Sequence, residues 1–114
     1  MRVLTETECR LAMKNGDFEL PELDGPAAFI LTQSWCPQWT AMKNYLGEAE
    51  KRLPGLKIFY IEYDLSSFFE EFMTFKENTY ENREIPYVRY YKEGKYSSWS
   101  NYVSLEGFLH RFSS

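Results

Sequence analysis

Two cysteines, one histidine and no run of basic residues limit what this 114-residue chain can do. Cys9, Cys36 and His110 are too few and too widely spaced for a zinc pattern, so no metal is expected. There is no glycine-rich phosphate loop, and no cofactor is expected. The net charge is -4 and lysines and arginines do not cluster, which gives a nucleic-acid backbone nothing to bind. No apolar stretch approaches the roughly 18 residues of a membrane helix. Met1 to Glu6 lacks the apolar core of a signal peptide. No membrane contact and a cytoplasmic location are therefore expected. No repeat, low-complexity tract or linker interrupts the chain, so residues 1–114 read as one domain, with no signal of oligomeric state.

What the chain does have is apolar and aromatic substance. Hydrophobic residues make up 44% and aromatics 18%, enough for a core without metal or disulfide staples. Thr5 and Glu8 have capping-box spacing, and Leu4 with Cys9 has the spacing of a hydrophobic staple. A helix over 6–14 follows, ended by Asn15-Gly16, with Cys9 on its packed side. Ala27 to Leu31 reads as a strand buried on both faces. A helix from Pro37 carries Met42, Tyr45, Leu46, Ala49 and Leu53, and stops at Pro54-Gly55. Leu56 to Tyr63 is a second strand. Asp64 is placed to cap a helix bearing Leu65, Phe68, Phe69, Phe72 and Met73, and a polar stretch runs from Lys76 to Glu84. Tyr87 to Tyr91 and Tyr96 to Ser100 form a hairpin around Lys92-Glu93-Gly94-Lys95. Ser104 caps a last helix with Leu105, Phe108, Leu109 and Phe112 on one face. The order implies an α/β fold with a four-stranded mixed sheet and helices on both faces.

The chemistry concentrates at Ser34-Trp35-Cys36-Pro37-Gln38-Trp39. Cys36 falls where a strand runs into a helix. The first N–H groups of that helix lack partners, and its positive dipole end favours a thiolate. Three residues later, where a dithiol enzyme has its second cysteine, stands Trp39. Spacing alone does not decide whether Cys9 and Cys36 pair, although a structural disulfide is unusual in the cytoplasm. His110, in the last helix, is read as a surface residue rather than a base for Cys36.

Taken in this order, Trp35-Cys36-Pro37 after an apolar strand, a second strand ending in Asp64, and Ile85-Pro86 opening a hairpin resemble the thioredoxin family over nearly the whole length. The resemblance implies the thioredoxin fold, with Cys36 as nucleophile and a cis Pro86 beside it. It also implies that Trp35, Pro37, Ile85 and Pro86 form the substrate surface, with the Ile85 backbone pairing with an extended segment. Trp39 either packs inward over Cys36 or adds an aromatic wall for a peptide or a glutathione moiety.

Three departures stand against the family pattern. Trp39 replaces the resolving cysteine, Ile30 stands where the buried acid is usual, and Tyr60 stands where its companion lysine is usual. With no resolving thiol, neither the acid nor the lysine has its task, and burying an unpaired charge costs several kcal/mol. Two readings remain open: monothiol exchange with a protein or a small thiol such as glutathione, or a redox-inactive interaction module in which Cys36 is inert. Glu84, if near Cys36, would oppose thiolate formation.

Overall fold

A computed structural model describes residues 1–113. Its centre is a mixed sheet in the order β1-β3-β2-β4-β5, formed by β1 (Arg2–Val3), β2 (Ala27–Thr32), β3 (Lys57–Glu62), β4 (Tyr87–Lys92) and β5 (Lys95–Ser100). β2 runs parallel to β3 with Ile30 opposite Tyr60, and antiparallel to β4 with Ile30 opposite Val88. The strand count is five, not the four expected. The added edge strand, β1, is two residues long, too short to leave a periodic pattern, and pairs Val3 with Tyr60.

Alternation along β2 separates two cores. Ala27, Phe29 and Leu31 face one cluster, which α1 (Glu6–Asn15) and α3 (Phe69–Thr79) cover with Cys9, Ala12, Phe72 and Phe75. Ala28 and Ile30 face the other, which α2 (Pro37–Arg52) and α4 (Leu105–His110) cover with Met42, Leu46 and Phe108. All six β2 residues are buried, which explains the unbroken apolar run.

Local signals act where sequence places them. Thr5 and Glu8 close a full capping box, and Gly16 ends α1 in the left-handed region at φ 84°. Glu93 and Gly94 both have positive φ, 51° and 79°, and join β4 to β5 as a two-residue turn matched to strand twist. A Cβ at Gly94 would lie 2.7 Å from the Leu23 carbonyl oxygen, so this position needs glycine for space as well as for φ.

The third helix differs from expectation. Asp64 does not cap it. It lies in a short 3-10 turn, Tyr63–Leu65, and α3 starts only at Phe69. The helix then runs through Lys76, assigned above to a polar connecting stretch, and buries it completely. Arg89, in the middle of β4, is likewise buried. It lies between the rings of Tyr80 (3.9 Å) and Tyr96 (4.1 Å), donates to the Tyr87 and Tyr91 hydroxyls, and pairs with Asp17 at 3.3 Å.

Candidate thiol site

Cys36 is the residue before the first turn of α2, in extended conformation at φ -72° and ψ 120°. Pro37 occupies the first helical position, where its missing N–H has no cost. The Cys36 carbonyl accepts from the Thr40 N–H, while its side chain makes no capping bond. The thiol is therefore free for other use. It is 4% exposed, and Sγ lies 3.8 Å from the Ile85 carbonyl oxygen. The Ile85–Pro86 peptide is cis.

The turn before Cys36 is held from the far end of β3. Asp64 accepts from the Ser34 N–H at 2.7 Å and from the Ser34 hydroxyl at 2.6 Å. Both carboxylate oxygens are thus engaged in fixing the loop that presents Trp35 and Cys36. Trp35 is 66% exposed and its indole N–H donates to Gln33 Oε1 at 2.7 Å. Pro37 is exposed, Ile85 half-buried and Pro86 buried.

Trp39, counted above among the candidate substrate-binding residues, points the other way. It is fully buried, with no surface for a ligand. Its ring lies 5.6 Å from that of Tyr60, and it shares one apolar cluster with Ile30 and Cys36. Its indole N–H donates to Glu62 Oε2 at 2.8 Å, and Lys43 approaches the same oxygen at 3.7 Å. Ile30, Trp39 and Tyr60 thus form one packed unit beside Cys36.

Cys9 lies on the opposite face of the sheet from the cluster of Cys36, and both thiols are free. Burial, with Glu8 and Glu6 nearby, pushes the Cys9 thiol up to about 12. It packs as a fully buried core residue. His110 is exposed at the end of α4. Among the described residues no group of His, Cys, Asp and Glu could hold a metal, and no helix is long and apolar enough to cross a membrane.

No protein-family model and no curated protein matches the sequence. Solved structures do. Thioredoxin O1 from Arabidopsis thaliana, in its oxidised state, superposes with a TM-score of 0.66 at 15% identity, over 98% of this chain and 96% of that one. Thioredoxin from Fasciola hepatica gives 0.65 at 14% identity, over 99% and 100%. Mitochondrial thioredoxin 3 from Saccharomyces cerevisiae, oxidised, gives 0.67 at 14%, over 98% and 92%. The chain has a thioredoxin-like fold. At such identities the likeness is one of fold. Within that fold, Cys36 sits at the start of the helix after the buried central strand, and Ile85-Pro86 lies across from it.

Two features of the site escaped sequence reasoning. Asp64 has the look of a local helix cap, and only the tertiary fold brings it to Ser34. Glu62 has no sequence signal for its contact with Trp39, which lies 23 residues away and is met only in the fold.

Proposed function

We propose that Cys36 is a monothiol nucleophile for thiol–disulfide exchange. The supporting observation is its placement: a free thiol at the head of α2, against Ile85, with a buried Trp39 where a resolving sulfur would stand. The Cys36 thiolate attacks one sulfur of a substrate disulfide, forms a mixed disulfide and releases the other half as a thiolate. Trp39 cannot resolve this adduct, so an external thiol of the glutathione type does so. Its thiolate attacks the substrate sulfur, a new disulfide leaves and Cys36 is regenerated. Sulfurs are exchanged with no net oxidation, and the proton of the external thiol ends on the released half. Exposed Trp35 and Pro37, with Ile85 and Pro86, form the contact surface for the substrate. A reducing cytoplasm, which supplies such a thiol, is the setting this reading requires.

The test uses the Cys9→Ser protein with oxidised glutathione, followed by intact mass. The expected result is a single adduct at Cys36 that persists until reduced glutathione is added, and none in Cys36→Ser. Absence of any adduct on the folded protein would reject exchange. It would favour the second reading, a redox-inactive docking module, which the 4% exposure of Cys36 beside a 66% exposed Trp35 supports.

A further inference from the structure

The segment facing Cys36 is pinned by a polar network that the exchange step does not use. Lys76, fully buried in α3, donates from Nζ to the Asn82 carbonyl at 2.8 Å. Asn82 is itself buried, and its side-chain oxygen accepts from the Glu84 N–H at 3.1 Å. Asn82 and Asn101 then bond amide to amide: Asn82 Nδ2 donates to Asn101 Oδ1 at 3.1 Å, and Asn101 Nδ2 donates to Asn82 Oδ1 at 2.9 Å. Asn101 Nδ2 also reaches the carbonyls of Pro86 (3.0 Å) and Glu84 (3.3 Å). The carbonyls on both sides of Ile85 are therefore held by Asn101, just past β5, while Lys76 from α3 holds the same loop three residues earlier, at Asn82. Ile85 between them sets its carbonyl on Cys36 Sγ.

A buried lysine is a poor choice for stability alone. Its desolvation is costly, and its only hydrogen-bond partner among the described residues is one loop carbonyl. Two facing asparagines, one of them buried, likewise stand where apolar side chains would pack, and their bonds are to each other and to this loop. What these groups share is the loop over residues 82–86. We propose that Lys76 and Asn101 are positioning residues that latch this loop onto Cys36, so that the Ile85 carbonyl covers the sulfur and governs its access to reagents. This deepens the reading of Cys36 as the site thiol, and its test does not require exchange to occur.

The measurement is the rate of iodoacetamide labelling, resolved by mass spectrometry at Cys36 and Cys9 in the same molecule. Cys9 serves as internal control because it lies in the core of the opposite face. Asn101→Ala and Lys76→Met are each expected to raise the Cys36 rate about five-fold or more, the scale of one lost hydrogen bond, with the Cys9 rate unchanged. An unchanged Cys36 rate would overturn the proposal. So would a parallel rise at both cysteines, since that reports general loosening. Should Lys76→Met not fold, Asn101→Ala decides, because Asn101 is only half-buried. If wild type forms no glutathione adduct while the variants still uncover Cys36, the exchange reading fails and the latch stands. If exchange occurs and labelling does not respond, the reverse holds.

Discussion

In the proposed exchange, Trp39 limits Cys36 to the chemistry of a single thiol. The tryptophan side chain three residues after the thiol is fully buried and packs with Ile30 and Tyr60, leaving no second thiol beside Cys36. Restoring the cysteine pair is therefore not a one-residue change. In Trp39→Cys the spacing Cys-x-x-Cys returns, but Ile30 has no carboxylate to take the proton of the new thiol. The indole also leaves a cavity, and Glu62 loses its donor while keeping Lys43 at 3.7 Å. Removing a fully buried tryptophan costs about 3 to 5 kcal/mol. The expected outcome is a variant with a clearly lower thermal midpoint and no gain in turnover with a protein disulfide. Calorimetry and a reduction assay check the two halves separately. Efficient dithiol turnover in this single variant would mean that Ile30 and Tyr60 are not obstacles.

At the scale of elements, α3 and the loop after it carry a charge that burial works against. Desolvation pulls the Lys76 ammonium down to about 8, opposed by Glu77 and Glu84. The unfolded chain holds that proton up to its ordinary value near 10.4. Between those values the unfolded state binds more protons, so stability rises as pH rises through 8. The gain from pH 7 to pH 9 is about 1 kcal/mol. It falls below the range where the tyrosines matter, since burial raises Tyr80, Tyr87 and Tyr91 above their usual values. Cys9 acts in the opposite sense in this window, since its thiol is held up to about 12 in the fold and at about 8.5 in the unfolded chain. In a Cys9→Ser background, urea midpoints at pH 7 and pH 9 should therefore differ, and adding Lys76→Met should remove that difference. An equal pH response in both proteins would show that Lys76 titrates as an exposed lysine. This helix is also where sequence reading failed. Lys76 and its neighbours to Glu84 are polar and look like a loop, because burial of a lysine is decided by the carbonyl it meets, six residues on, and not by its own chemistry.

For the whole molecule, what was legible followed from burial patterns that are local to one segment. The run Ala27 to Leu31 is apolar because both sheet faces are covered, and the Glu93-Gly94 turn is readable because two positive φ angles demand it. The position of Cys36 follows from the Pro37 beside it. What was not legible depends on pairs distant in sequence: Asp64 with Ser34, Asn82 with Asn101, and β1 with β3. The same logic settles the two cysteines. Their separation in sequence leaves pairing open, whereas the sheet lies between the cluster of Cys9 and that of Cys36. An intramolecular bridge would require one of them to cross that layer, which the folded state does not allow. Under a mild oxidant the folded protein is thus expected to give mixed disulfides or covalent dimers through Cys36 only. On a non-reducing gel the dimer should persist in Cys9→Ser and vanish in Cys36→Ser, and peptide mapping should find no Cys9–Cys36 link. A mapped link between them in folded protein would mean that α1 can leave its face of the sheet. The independence of the two cores, on which the labelling control also depends, would then fail with it.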